Sequence, residues 1–196
     1  MKLIISTTSP YSRKCRVMVH ELGLADEVEE LESHPFDDDP ALIQANPLGR
    51  VPCLVLDDGQ AFTESALIAD YLCERAGEPW PRDWTDRRLE ALGNGLLDLT
   101  VARRVEMVRD EGIQSDFWIQ RRERGIMRAI DEIETLIGHL DAPLAQGPLT
   151  MAVALSYMDF RYPESDWRSG RPHLAALLEA WEARPSFKAT PPPADS

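Results

Sequence analysis

Apolar and polar positions in the first 78 residues follow a pattern typical of short strands interleaved with helices. The apolar run over 2–6 predicts a buried strand, and Cys15, Val19 and Leu22 predict an amphipathic helix over 10–23. Further strands are expected at 28–31, 51–56 and 60–62, with helices starting at Pro40 and at Glu64-Ser65. An Asp-Gly turn at 57–59 joins the last two strands into a predicted hairpin. This order predicts an α/β unit.

Strand signals end after residue 78, and the rest of the chain is periodic as helices are. Helices are predicted over 86–109, 116–140, 148–160 and 172–183, the third of them apolar nearly all round. We therefore expect an α/β domain at 1–78, a proline-rich linker at 79–86 and an all-helical domain at 87–196.

Composition narrows the classes of protein that fit. The chain has 196 residues, 43% of them hydrophobic, and no apolar run approaches the length of a membrane span. Its start, MKLIISTTSP, lacks the pattern of a signal peptide, so a cytoplasmic location is expected. A net charge of −13 argues against partners such as nucleic acid or an anionic membrane.

The positions of the cysteines and of the basic residues bear on possible disulfides, metal sites and anion sites. The three cysteines are widely spaced and indicate neither a disulfide framework nor a metal site, so buried thiols are expected. Arg13, Lys14 and Arg16 crowd the first helix. They fit either a solvated helix face or a basic rim around a small anionic ligand.

Three short segments carry candidate chemistry. Ser9-Pro10 fits a helix N-cap and first-turn proline, where outward-pointing amides favour an anion or a thiolate. Val51 precedes Pro52 and is held extended, so its N–H and C=O can pair with a peptide ligand. Glu64-Ser65 opens a helix and offers partners for an ammonium and a carboxylate. Each segment also has an ordinary structural interpretation as a cap or an edge strand.

Together these segments resemble a known family. The order and spacing of Ser9-Pro10-Tyr11-Ser12, 46–52 and 63–65 are similar to the thioredoxin-fold domain of the glutathione S-transferases. The likeness continues through 157–161, 166–168 and 184–187, covers essentially the whole chain, and points to small bacterial members. It implies a thioredoxin-like α/β domain followed by an all-α domain, with glutathione as co-substrate and no metal.

The resemblance also implies roles for residues of the first domain. Val51 would pair with the cysteinyl part of glutathione beside a cis Pro52, and Arg50 would reach the glycyl carboxylate. Ser65 and Glu64 would hold the carboxylate and the ammonium of the γ-glutamyl group. The glutathione-binding residues so implied are Ser9, Arg50, Val51, Pro52, Glu64 and Ser65.

Ser9 decides the expected mechanism. It stands where glutaredoxins and cysteine-type transferases carry a thiol, and Ser12 stands where glutaredoxins carry the second, so a dithiol cycle here is excluded. A serine hydroxyl can donate to the glutathione thiolate, and a hydrogen bond to a charged group contributes about 1.5–3 kcal/mol. That would lower a thiol pKa of about 8.5 by about one or two units. Thr7, Thr8, Tyr11 and Ser12 are rivals for this role.

The implied activity is that of a detoxifying glutathione transferase acting on a small hydrophobic electrophile, or a glutathione-dependent reduction of a peroxide or disulfide. A non-catalytic binding or regulatory protein is the alternative. The resemblance further implies a homodimer and an electrophile pocket lined by the fourth and sixth helices. Its candidate residues are Tyr11, Leu99, Arg103, Trp118 and Tyr157. One departure stands out: a reciprocal cap common in the family is missing at 145–148, and Pro148 or other contacts must replace it.

Overall fold

One mixed sheet organises the N-terminal part of the chain. A computed structural model describes residues 1–34, 36–77, 80, 83–138 and 144–194. The strands are β1 (Lys2–Ile5), β2 (Glu29–Glu32), β3 (Cys53–Val55) and β4 (Ala61–Thr63), in the order β2-β1-β3-β4. β1 and β2 are parallel and the other pairs are antiparallel. Gly59 turns the β3–β4 hairpin at φ 89°, so the predicted hairpin is confirmed.

Helices cover both faces of this sheet. They are α1 (Pro10–Glu21), α2 (Pro40–Ala45) and α3 (Ser65–Ala76). Ile4 and Cys53 pack with Leu42 of α2 on one face. Leu3 and Leu54 are fully buried and point to the other, since neighbouring strand residues alternate between faces. The first domain is therefore the α/β unit that the pattern predicts.

Helices make up the second part of the chain. They are α4 (Trp84–Met107), a 3₁₀ turn (Glu111–Ile113), α5 (Asp116–Ile137), α6 (Gln146–Arg161) and α7 (Pro172–Glu182). α6 is buried from Gln146 to Met158, which confirms the central buried helix. The predicted end of the fifth helix at Leu140 lies outside the described residues. Of the described helices, none combines the length and apolar composition that a bilayer crossing requires.

The chain divides into two units at places other than the predicted domain limits. The first unit comprises Met1–Trp80 and Ala183–Ser196, and the second comprises Pro81–Glu182. Residues 79, 81 and 82 of the predicted linker lie outside the described residues, and its last residues, 84–86, already form the first turn of α4, which Asp83 caps through Asp86 N at 2.8 Å. An eighth helix, α8 (Pro185–Ala189), has no counterpart in the sequence prediction.

Contacts with α1 explain why the C-terminal segment joins the first unit. Arg184 donates to Glu21 from Nε at 2.7 Å, and the Ser186 hydroxyl contacts the same carboxylate. The Arg13 guanidinium lies 4.2 Å from the centroid of the Phe187 ring. We call this set of contacts the C-terminal clasp.

Burial and ion pairing decide what the basic residues of α1 do. Arg13 and Lys14 are buried, and Arg16 pairs with Glu30 at 2.8 Å. They therefore form neither the solvated face nor the ligand rim that the sequence left open.

Carboxylates from elsewhere in the second unit hold the starts of three helices. Asp86 accepts from Gly147 N at 2.7 Å at the start of α6, where the family's cap is missing. Glu106 accepts from Ser115 N at 2.9 Å before α5. Glu134 accepts from His173 N and Leu174 N at 3.0 and 2.8 Å at the start of α7. A negative group at these ends satisfies the exposed amides and complements the helix dipole.

Acid is expected to weaken the C-terminal clasp. Hydrogen bonding from Arg184 holds the pKa of Glu21 below its usual 4.5, against the opposing effect of burial. A lowered folded-state pKa adds stability above the unfolded value, and that stability is lost as pH falls through the folded value. The free energy of unfolding, measured in urea from about pH 6 to about pH 3, should therefore fall less steeply in Glu21→Gln than in the wild type. Glu29→Gln on exposed β2 is the control, and equal slopes in all three proteins would contradict the assignment.

Candidate functional site

Strand register brings the three candidate segments to one end of the sheet. Ile4 pairs with Cys53, and Cys53 pairs with Thr63. Because both pairings are antiparallel, the end of β1, the start of β3 and the end of β4 lie side by side. The segments 6–12, 46–52 and 63–65 leave or enter the sheet there, and we call this end the site edge.

Ser9 is the N-cap of α1 at the site edge. Its backbone is extended, with φ −83° and ψ 123°, and its Oγ accepts from Ser12 N at 3.2 Å. The side chain is partly exposed, and within the described ranges no group accepts its hydroxyl proton. Ser9 thus retains a donor at the positive end of a twelve-residue helix.

Most rival hydroxyls are engaged in other contacts. Ser12 is fully buried and accepts from Ser6 N at 3.3 Å. Thr8 lies 3.1 Å from the Ser6 hydroxyl, and Thr7 donates to Glu32 at 2.8 Å. Tyr11 is half-buried in the first turn. The geometry therefore favours Ser9 among the candidates that the sequence left open.

Cys15 is not a substitute nucleophile. It is fully buried, and burial raises its pKa to about 12 despite the nearby charge of Lys14. Its Sγ lies 3.8 Å from the carbonyl oxygen of Ser65, which ties α1 to the start of α3. Cys53 and Cys73 are buried as well, as expected for all three thiols.

A fixed loop presents the backbone of Val51. The Val51–Pro52 peptide bond is cis, as the resemblance implies. Asn46 is buried; its Nδ2 donates to the carbonyl oxygen of Arg50 at 2.8 Å, and its Oδ1 accepts from Leu48 N at 3.1 Å. Sequence reasoning missed this positioning role, for which an asparagine before a Pro-x-Gly turn was the available signal. Among described residues, no group pairs with the backbone of Val51.

Glu64 adopts a backbone conformation that few residues accept. Its φ is 70° and ψ 120°, and it is exposed directly before Ser65, which is buried. A non-glycine residue in such a region costs about 1–3 kcal/mol and is often retained at ligand sites. Its side chain makes no cap hydrogen bond to α3, so the carboxylate and the helix amides both remain for a ligand. Arg50 is exposed at the same edge.

The predicted electrophile residues are divided between the two units. Tyr11 belongs to the first unit and the other four to the second. Leu99 packs against Gly125, whose added Cβ would lie 3.0 Å from Leu99 Cδ1. Trp118 is exposed on α5, and its ring meets that of Phe117 edge-on with 5.2 Å between the centroids.

Arg103 and Tyr157 do share surroundings. The Arg103 guanidinium lies 4.4 Å from the centroid of the Tyr162 ring. Tyr157 is buried, and burial raises its pKa. Burial also raises the pKa of Tyr162, and the nearby charge of Tyr157 raises it further. Among the described residues, no group of three or more His, Cys, Asp or Glu side chains is arranged to hold a metal ion.

Comparisons with known proteins agree with this geometry. The family model for the glutathione S-transferase N-terminal domain matches residues 8–75, and the model for the C-terminal domain matches 116–180. The chain is 34% identical over 202 residues to the uncharacterized GST-like protein YibF of Escherichia coli K12, covering 98% of this chain and 99% of YibF.

Two solved structures are similar over nearly their whole length. A glutathione transferase family member from Pseudomonas fluorescens Pf-5, with bound glutathione, is 37% identical with a TM-score of 0.93, covering 98% of this chain and 99% of its own. A glutathione S-transferase from Methylobacterium radiotolerans, in complex with glutathione sulfonate, is 34% identical with a TM-score of 0.89, covering 100% and 96%.

Proposed function

The chain belongs to the glutathione S-transferase family, and we propose that it binds glutathione at the site edge and activates its thiol for transfer to a second substrate. The observation that carries this proposal is the convergence of three segments at one sheet end, with the Ser9 hydroxyl donor among them. Each segment offers a different kind of partner. Glutathione presents a peptide backbone, charged ends and a thiol, and these groups need partners of all three kinds.

Each part of glutathione has a partner of suitable chemistry. The backbone of Val51 would pair with the cysteinyl residue as a short added strand. The buried start of α3 at Ser65 would hold the γ-glutamyl carboxylate, and Glu64 would hold its ammonium. Arg50 would contact the glycyl carboxylate, and Ser9 would donate to the thiolate.

The reaction that follows depends on the second substrate. Because Ser9 supplies a hydrogen bond rather than a thiol, the reactive sulfur must be that of glutathione, and its thiolate would be transferred to a small hydrophobic electrophile. The same thiolate would serve a peroxide or disulfide reduction. We propose that the protein acts in the cytoplasm, as a homodimer, with its second substrate held by the helical unit.

Glu64→Gly is expected to separate stability from binding. Because glycine tolerates a positive φ, the free energy of unfolding of the variant should exceed that of the wild type by about 1 kcal/mol. Loss of the carboxylate should weaken glutathione binding about tenfold, since a charge-assisted contact contributes about 1.5 kcal/mol or more. Urea denaturation and calorimetric titration with glutathione measure the two effects.

Two matched variants isolate the cause. Glu64→Ala should lose the same affinity without the gain in stability, because alanine keeps the unfavourable backbone. Glu74→Ala, on the exposed side of α3, should change neither. Glutathione affinity that stays at the wild-type value in both Glu64 variants would remove this residue from the site.

A further inference from the structure

The C-terminal clasp holds the helix that carries Ser9. Arg13 follows Ser9 by one helical turn, and its backbone N–H donates to the Ser9 carbonyl oxygen at 3.0 Å. The buried Arg13 guanidinium lies 4.2 Å from the centroid of the Phe187 ring, and its Nη2 donates to the Phe187 carbonyl oxygen at 3.4 Å. The ring and the backbone of one residue of α8 therefore hold a side chain at the end of the first turn of α1.

A second contact of the clasp holds the other end of α1. Glu21 is the last residue of this helix, and it accepts from Arg184 Nε at 2.7 Å and also from Nη2. Glu21 comes eight residues after Arg13, which corresponds to roughly 12 Å along the helix axis. Helix residues spaced four apart share one side, so both contacts lie on the same side of α1. Together they restrain the rotation of α1 as well as its position along its axis.

Packing on α1, rather than its own helix, keeps the clasp ordered. α8 has five residues, and a helix of this length is unstable in isolation. Phe187 is nonetheless only 2% exposed, and Thr190 is fully buried, with its hydroxyl donating to the Ser186 carbonyl oxygen at 2.9 Å. Phe187 is thus the buried side chain through which α8 and the first turn of α1 hold each other.

The direction of the Ser9 hydroxyl depends on that first turn. Its Oγ accepts from Ser12 N at 3.2 Å, so the turn sets where the oxygen lies. A hydrogen bond weakens steeply once its angle falls below about 120°, and groups of an active site need to be held within about 0.5 Å of their productive geometry. The buried apolar side chains of α1 do not supply such alignment alone, because apolar contacts are non-directional. The directional contacts of the clasp add it.

We propose that Phe187 is a positioning residue for activation of the glutathione thiol. By holding Arg13, it fixes the first turn of α1, so that the Ser9 hydroxyl is aligned with the thiolate. Phe187 acts through Arg13 and Ser9 and does not itself contact glutathione. The inference rests on the proposed function, because it concerns the thiol activation proposed for Ser9. It extends the residues that determine this activation to one that lies 174 positions after Arg13.

Ultraviolet difference absorbance of bound glutathione, titrated against pH, tests this role in Phe187→Leu. Leucine keeps a buried apolar side chain but removes the ring under the guanidinium, and no charge changes. We expect the pKa of the bound thiol to rise by about half a unit, so that the thiolate fraction below the pKa becomes about threefold smaller. At such a pH, kcat/KM should fall by about the same factor, whereas the glutathione affinity measured by calorimetric titration should stay within about twofold of wild type.

Two further variants separate positioning from a general loss of stability. Ile133→Val removes one methylene from a fully buried side chain of α5 in the second unit. It should lower the free energy of unfolding and leave the thiol pKa of bound glutathione at the wild-type value. Phe187→Met fills more of the volume of the ring than leucine does, and it gives a second test should Phe187→Leu fold poorly. An equal rise of the thiol pKa in Ile133→Val would overturn the inference.

Failure of the proposed function would give a different result. Wild-type protein that does not bind glutathione, or binds it without lowering its thiol pKa, would contradict the activation itself and the inference with it. A thiol pKa that is lowered in the wild type and equally lowered in both Phe187 variants would overturn only the positioning role of Phe187.

Discussion

Replacing Ser9 with alanine is expected to lower kcat/KM for glutathione transfer by about 10- to 100-fold. The Ser9 hydroxyl has a proton to donate, and a hydrogen bond to a thiolate contributes about 1.5–3 kcal/mol. Each 1.36 kcal/mol corresponds to about a factor of ten in rate. The loss should shrink as pH rises, because a bound thiol of higher pKa becomes ionised by itself. Steady-state kinetics over a pH series would show this.

Two other variants control for the structural role of Ser9. Ser9→Ala also removes the N-cap bond to Ser12 N, which costs about 0.5–2 kcal/mol of stability. Ser9→Thr keeps the hydroxyl and the cap, so more of the rate should remain than in Ser9→Ala. Ser12→Ala removes a buried hydroxyl that accepts from Ser6 N and should reduce stability with little change in the pH profile. A Ser9→Ala value of kcat/KM within about twofold of wild type would be incompatible with stabilisation of the glutathione thiolate by this hydroxyl.

Replacing Asp86 with alanine is expected to destabilise the protein by about 2–3 kcal/mol, because a buried carboxylate holds the start of the central helix α6. No side chain of α6's own N-cap can take over, since that residue is Ala145. Asp83→Ala, which removes the exposed cap of α4, should cost only about 1 kcal/mol. Urea denaturation of the two variants measures the difference.

Gly147 provides an independent check of the same contact. A Cβ at this position would lie 2.8 Å from Asp86 Oδ1, from the Asp86 carbonyl oxygen and from Leu89 Cβ. Gly147→Ala should therefore destabilise as well, by displacing the carboxylate. If Asp86→Ala cost no more than Asp83→Ala, the cap of α6 would have to come from elsewhere.

Local patterns were sufficient to predict most elements of the fold. The seven elements of the first domain and the four long helices of the second depend on periodicity, turn residues and caps that act over a few positions. The sequence predicts the C-terminal segment in the helical domain, whereas residues 183–196 belong to the first unit. The contacts that place it there are distant in sequence, since Arg184 meets Glu21 across 163 positions. Nothing near Arg184 or near Arg13 in the sequence identifies such a partner.

Helix capping in the second unit shows the same limit. The sequence reveals that α6 lacks a local cap, but not that Asp86 replaces it from 61 positions away. Glu134 likewise reaches α7 across 39 positions. The absence of a local cap is therefore visible in the sequence, whereas the carboxylate that replaces it depends on how the helices pack on one another.

In the candidate site too, the sequence indicates some features and only the fold shows the others. Residue types identified the segments at Ser9, Val51 and Glu64, and strand register then placed them at one edge. The positive φ of Glu64 could not be predicted, because glutamate rarely adopts it and only the surrounding fold enforces it. The role of Asn46 depends on two loop contacts that a sequence does not display.

The thiol pKa of bound glutathione tests the central claim most directly. Ultraviolet difference absorbance of the wild-type complex, titrated against pH, reports how much of the bound thiol is ionised. We expect a pKa about one to two units below the free value, with the shift largely lost in Ser9→Ala. Glutathione that binds with the pKa of the free thiol would contradict activation at Ser9 and favour a non-catalytic binding protein.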